Sequence, residues 1–231
     1  MKEIIFVTGT DTGVGKTVLT VSLLALMRKT GLNTIAVKPF CTGSRTDAKL
    51  LQKFQPDITD IKLINPFFFR APLTPMYAAE LEKISVPLVD VCDYLGKMAE
   101  KTDFLLVEGA GGLMSPLGPG YSLFDIIKKI PGKIIVVGPN KLGVLNHMQL
   151  IFFALDHVLV QGVIFVLMNF FKETLASKSN LYILQRLFGE DRVVQVPYLG
   201  RRIKEKNAVQ KNLKNFKKVL ALVLGKSKLL A

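Results

Sequence analysis

The chain has 231 residues, 49% of them hydrophobic, enough to bury the core of one large domain. Its net charge of +13 raises the question of an anionic partner, while its two cysteines, Cys41 and Cys92, make no disulfide or metal framework and fit a reducing cytoplasm. Lys2 and Glu3 before a strand-length apolar run argue against a signal peptide, and the most lipid-like stretch, GVIFVLMNFF at 162–171, is about half the ~20 residues of a membrane span.

In chain order, a strand at about 3–8 leads into a turn rich in threonine and glycine, within FVTGTDTGVGKT (Phe6 to Thr17). KTVLTVSLLALMRKTG then has helical character, with Gly31 placed to end it. NTIAVKPF reads as a short β-rich run stopped by proline. TDAKLLQKF reads as a helix with a threonine N-cap. SVPLVDVCDYLGKMAEK reads as another, with Ser85 as cap and Pro87 in the first turn. DFLLVEGAGG is a buried strand running into glycines, and GKIIVVG is a second, followed by a helix from about Val144. GVIFVLMN and RVVQVP are further strands, separated by the helical SNLYILQRLFG. Continuously apolar strands alternating with helices predict an α/β fold of three layers, a mainly parallel sheet with helices on both faces. With no internal repeat or linker visible, residues 1–231 read as a single domain.

From Arg201 onward ten Lys and Arg stand against one acid, Glu205. Within that run Val209, Leu213, Phe216, Leu220 and Val223 recur at spacings of three and four, which marks one apolar helix face. A surface helix for nucleic acid or membrane is one reading. A terminal helix docked on the core with a solvated basic face is the other, and it is favoured because docked terminal helices are common.

The residues with chemical potential lie just past strand ends, where ligands bind in such folds. Gly13, Val14, Gly15, Lys16 and Thr17 can turn backbone N–H groups toward phosphate oxygens at a helix N-terminus. Lys16 would reach the β- and γ-phosphates and the Thr17 hydroxyl would bind Mg²⁺. The strict phosphate-loop pattern wants glycine where Thr10 stands. Lys38 taken alone is a surface lysine. Thr42 and Gly43 suggest a turn presenting a hydroxyl, and Asp47 suits the first turn of a helix. Glu108 ends the apolar run FLLV, and a bound ion would explain a carboxylate at the end of a buried strand.

These segments together resemble the dethiobiotin synthetase family. The resemblance rests on FVTGTDTGVGKT, VKPFCTG, TDAKLL, LLVEGAGGLMSPL and VVGPNKLGVLNH, in that order, and extends more weakly beyond about residue 170. The family's loop has an extra residue between its first glycine and GKT, here Gly9 to Gly15, so Thr10 belongs to the variant loop. The resemblance implies a phosphate-loop NTPase fold in which Thr12, Gly13, Val14, Gly15, Lys16, Thr17 and Val18 cradle ATP. It implies Mg²⁺ held by Thr17, Asp47 and Glu108. Lys16, Lys38 and Thr42 would be catalytic, with Lys38 and Thr42 facing the carbamate. Glu108, Gly109, Ala110 and Gly111 would lie along the nucleotide, with Asn169, Phe170, Pro197, Tyr198 and Leu199 near adenine. A homodimer is implied, with Gly143, Val144 and Asn146 receiving the distant carboxylate of 7,8-diaminononanoate.

The implied reaction converts that diamine, CO₂ or bicarbonate and ATP to dethiobiotin in the cytoplasm, with no nucleic-acid or membrane partner. Many family members carry glutamate where this chain has Gly13, and an acid often stands where it has Phe170. Three other readings have specific marks against or for them. A related amidotransferase normally adds a glutaminase domain, for which this chain has no room. A partition-type ATPase has a lysine where Asp11 stands. A nucleotide-binding regulatory module would use the same binding residues without ligase activity.

Overall fold

A computed structural model describes residues 2–156, 162–171, 174–200 and 203–225. Of the basic C-terminal run, Arg201, Arg202, Lys226 and Lys228 lie outside the described residues. The first half of the chain contains β1 (Glu3–Gly9), α1 (Lys16–Lys29), β2 (Thr34–Val37), β3 (Phe40–Thr42), α2 (Thr46–Lys53), β4 (Phe67–Phe69), α3 (Pro75–Leu81), α4 (Leu88–Ala99) and β5 (Phe104–Glu108). The second half contains α5 (Leu123–Lys129), β6 (Lys133–Pro139), α6 (Val144–Asp156), β7 (Val163–Met168), α7 (Leu175–Phe188), β8 (Val193–Val196), α8 (Lys206–Asn212) and α9 (Lys217–Leu224).

Six parallel strands pair in the order β2-β5-β1-β6-β7-β8. Their central residues are buried on both sides, Phe6, Val7, Leu106 and Val136 among them, which accounts for the unbroken apolar runs. The step from β1 to β2 crosses the sheet one way and the step from β6 to β7 the other. Right-handed crossovers therefore put α1 and α6 on opposite faces, giving the three layers expected. The strand order reverses at β1. The turn leaving β1 thus opens between the ends of β5 and β6, the usual crevice for a ligand in a doubly wound sheet.

The C-terminal basic run docks on the core. Val209, Leu213, Phe216, Leu220 and Val223 are all buried, and α8 and α9 pack on α1. They form two helices joined by a 3₁₀ turn at Leu213–Phe216, not one straight helix. The apolar stripe survives that break because the tighter turn keeps both ends facing α1.

Three local expectations are corrected. Pro87, not Ser85, occupies the N-cap of α4, and no side chain caps that helix. Thr46 is the first residue of α2, behind an Arg45 N-cap, and its N–H is met by the Ser44 hydroxyl at 3.1 Å. Thr42 closes a strand, β3, which pairs in parallel with β4 in a second small sheet. That sheet was not expected because each strand has only three residues, too short to show an alternation.

Candidate active site

The turn after β1 forms a loop whose shape depends on two glycines. A Cβ at Gly9 would lie 2.6 Å from Val14 and 3.1 Å from the Lys16 ammonium, so only glycine lets the loop fold back on itself. Gly15 adopts φ 100°, a left-handed conformation, and serves as N-cap of α1. The first turn of that helix contains no acid, so its N–H groups and positive dipole end face the crevice uncompensated. Lys16 Nζ donates to the Asp11 carbonyl at 2.7 Å across the loop. Burial, then the nearby Lys38 charge, lowers the Lys16 ammonium from 10.5 to about 8.

Residues from five elements converge in front of this loop. Thr17 in α1 donates its hydroxyl to Glu108 Oε1 at 2.7 Å, and Lys38, just past β2, donates to the same oxygen at 2.6 Å. Lys38 Nζ also lies 3.3 Å from Asp47 Oδ2 in α2, and Lys204, ahead of α8, lies 3.2 Å from Asp47 Oδ1. Burial alone would lower the Lys38 ammonium, but Glu108 and then Asp47 outweigh it and hold it above its ordinary value. Burial likewise works to raise the Asp47 carboxyl, and the Lys38 and Lys204 ammoniums override it, leaving it below the usual range.

The metal-binding potential can be tested on these groups. Glu108 is wholly buried, yet its Oε2 has no hydrogen-bond partner. An orphaned carboxylate oxygen costs free energy unless something binds it. With the Thr17 hydroxyl and Asp47 beside it, the donor set is all oxygen. Among the described residues no group of three or more His, Cys, Asp or Glu side chains could hold a metal. One hydroxyl and two carboxylates suit Mg²⁺, which keeps water and takes phosphate oxygens for its remaining positions. The residues present fit that ion.

A cavity of about 650 Å³ runs from these groups along the loop. Thr12, Gly13, Gly15, Lys16, Thr17 and Val18 line it, as do Lys38, Asp47, Glu108 and Gly111. Phe170, Phe171, Tyr198, Gly200, Ile203 and Lys204 complete its wall, Lys204 on the side of Asp47. Val14, Gly109, Ala110, Pro197 and Leu199 do not line this cavity, and Val14 lines a neighbouring one. Gly109 donates its N–H to the Val7 carbonyl at 2.9 Å, and a Cβ there would meet Leu123 at 2.7 Å. The glycine turn after Glu108 is shaped by Ser115, whose hydroxyl accepts the Gly112 N–H at 2.8 Å.

Two groups of sequence-predicted residues are placed elsewhere. Asn169 faces a neighbouring cavity of about 500 Å³, and its side-chain oxygen accepts from Asn140 at 2.8 Å. Asn140 is held in turn by the Ser177 carbonyl and by Asn180, so the pair is rigid. Thr42 is outside the cavity wall, as are Gly143, Val144 and Asn146 at the start of α6. Val144 is buried and gives its N–H to the Lys141 carbonyl at 3.2 Å, whereas Gly143 and Asn146 are exposed. Lys204, Phe171 and Ile203 were missed as site residues. Nothing in their spacing marks them, and Lys204 is 157 positions from the aspartate it meets.

Comparison with known proteins follows the same lines. A family model described as an AAA domain matches residues 3–205. An ATP-dependent dethiobiotin synthetase of Thermodesulfovibrio yellowstonii is 34% identical over 233 residues, covering 94% of this chain and 97% of that protein. The chain belongs to the dethiobiotin synthetase family. A Bacillus subtilis relative of the same name is 40% identical over 147 residues, 62% of this chain and 64% of its own length. The chain thus spans slightly under two thirds of that dethiobiotin synthetase. Among solved structures, a plasmid partition protein of Borrelia burgdorferi bound to AMPPNP superposes with a TM-score of 0.63 at 13% identity, covering 98% of this chain and 100% of that one. At that identity the likeness concerns the fold alone, an α/β fold of the phosphate-loop NTPase type.

Proposed function

We propose that residues 1–231 form one ligase domain that makes dethiobiotin from 7,8-diaminononanoate, CO₂ or bicarbonate, and ATP. The observation that carries this reading is the meeting of Lys38, Thr17, Asp47 and Glu108 beside the phosphate loop, in a member of this family. A simple nucleotide switch has no need of a lysine buried against two carboxylates beyond the triphosphate.

In the reaction one amine of the diamine attacks CO₂ and releases a proton, giving a carbamate. A carbamate oxygen attacks the γ-phosphorus, the bond from that phosphorus to the β,γ-bridging oxygen breaks to release ADP, and a mixed carbamic–phosphoric anhydride remains. The second amine attacks the carbonyl carbon, a cyclic urea forms, and phosphate is expelled with the amine's proton passing to solvent. Phosphoryl transfer of this kind depends on alignment and charge neutralisation. Lys16 swings from the Asp11 carbonyl to the phosphates, and the N–H groups at the start of α1 hold them. Lys38 faces both the carbamate and the moving phosphoryl group, its charge secured by Glu108 and Asp47. Mg²⁺ at Thr17, Asp47 and Glu108 would supply further neutralisation of the phosphate oxygens. Thr42 is assigned to the carbamate side of Lys38.

The adenine end is assigned to Phe170 and Tyr198, aromatic residues of the cavity wall, while the Asn169 side-chain oxygen is engaged with Asn140. The diamine's carboxylate is assigned to Gly143, Val144 and Asn146 of a second protomer, because the first protomer's α6 does not wall its own cavity. Met114, Leu142, Leu150 and Phe153 are exposed apolar residues around this end of the molecule, and a homodimer would cover them. Among the described residues no helix is long and apolar enough to cross a membrane, in keeping with a cytoplasmic enzyme.

The test is mass-resolved product formation from diaminononanoate, bicarbonate, ATP and Mg²⁺, with each component omitted in turn. The expected result is a cyclic urea with one phosphate released per product. Phosphate without the urea would replace the ligase reading with that of an ATPase acting on another acceptor. Neither product, from folded protein that binds ATP, would favour a regulatory module.

A further inference from the structure

The basic C-terminal run has no part in the reaction as drawn, yet one of its lysines enters the cavity. Lys204 follows β8 by eight positions and precedes α8, and its ammonium lies 3.2 Å from Asp47 Oδ1. The other Asp47 oxygen lies 3.3 Å from Lys38. One carboxylate therefore bridges two cations at the same end of the cavity, the end that holds Glu108 and Thr17. Counting Lys16, three lysines face two acids there, an excess of one positive charge suited to a polyphosphate.

This arrangement cannot persist once the site fills. Asp47 is one of the oxygen donors that fit Mg²⁺, and a carboxylate carrying a divalent cation repels ammonium groups crowded against it. The two lysines are not equally placed to yield. Lys38 is anchored by its 2.6 Å bond to wholly buried Glu108, with a side chain only 10% exposed. The Lys204 side chain is 56% exposed, on a four-carbon stem that can redirect its charge. A terminal phosphate bound between Lys16 and Lys38 would offer it a new partner.

We propose that Lys204 is a nucleotide-binding residue that exchanges Asp47 for the terminal phosphate of the bound nucleoside triphosphate. The Lys204 side chain then distinguishes a triphosphate from a diphosphate. The basic run contributes one charge to the active site while its apolar stripe holds α8 and α9 on α1. This inference rests on the proposed reading of the cavity as a nucleotide site.

The experiment is calorimetric titration of the full chain with ATP and with ADP, each with Mg²⁺, for the unaltered protein, Lys204→Gln and Lys204→Arg. Loss of one charge-assisted hydrogen bond predicts that Lys204→Gln binds ATP about tenfold more weakly. ADP affinity should stay within about twofold, and Lys204→Arg should recover most of the ATP preference, since it keeps the charge. Thermal midpoints of the variants report their folding independently. An ATP-to-ADP affinity ratio in Lys204→Gln equal to that of the unaltered chain overturns the proposal, whether both affinities hold or both fall. Failure of the unaltered chain to bind either nucleotide would sink the nucleotide reading and this inference with it.

Discussion

Replacing Lys38 by alanine tests the centre of the site on two independent scales. The ammonium joins Glu108 at 2.6 Å and Asp47 at 3.3 Å, with Glu108 wholly buried. Removing one partner of a buried pair costs about 3–5 kcal/mol when the remaining charge has no other counterion. Here Glu108 keeps the Thr17 hydroxyl and Asp47 keeps Lys204, so the lower end applies. For a chain of this size, about 3 kcal/mol lowers the melting midpoint by roughly 6–12 °C. Saturating Mg²⁺ should return part of that loss, because the cation replaces the missing positive charge beside Glu108. In catalysis, losing a donor that serves the transition state costs about 10²–10³ in kcat. ATP should still bind with nearly unchanged affinity, since the phosphate loop and Lys16 are intact. Scanning calorimetry with and without Mg²⁺, and single-turnover phosphate release, read the two scales. Turnover within about threefold of the unaltered chain would remove Lys38 from the chemistry. An unchanged midpoint would mean that the Lys38 contacts to Glu108 and Asp47 contribute no stability.

Other consequences follow from groups around this centre. With Lys16 at about 8 in the free protein and raised by bound phosphate, ATP binding should take up a proton above pH 8. Affinity should be level below pH 8 and about tenfold weaker by pH 9, checked by titration calorimetry in buffers of different ionisation enthalpy. Alanine at Phe170 or Tyr198 should weaken ATP and GTP alike, by about fivefold to a hundredfold, because ring faces do not distinguish bases. A loss confined to ATP, read by nucleotide competition, would refute a stacking role. Leu150→Asp on the exposed face of α6 should convert a dimer to monomers in light scattering and lower turnover, since the second protomer's α6 would no longer reach the cavity. Full activity in a proven monomer would refute a shared site.

How much of this site was legible depended on how local each requirement is. The phosphate loop answers to its neighbours alone: Gly9 must let Val14 approach, and Gly15 must turn left-handed, so both appear as letters in one short string. Glu108 and Lys38 are legible at one remove. In a parallel sheet all strands present their carboxyl ends at one edge, so polar residues just past β2 and β5 must gather where β1 ends. The alternation of apolar strands and helices places them at that edge, while Lys38 taken alone reads as a surface lysine and owes its role to the family resemblance. The short β3–β4 pair escaped because three residues carry no period, and the cap of α4 escaped because Ser85 satisfies the composition rule without occupying the position. Lys204 is a different kind of case. It sits on no strand end, and its arrival at Asp47 depends on where α8 and α9 pack, which the stripe from Val209 to Val223 determines only once α1 is in place. The same run of lysines that suggested an external anionic partner thus includes one committed to an internal aspartate. Charge counted along a chain says how much is available to an anion, and only packing decides which anion it meets.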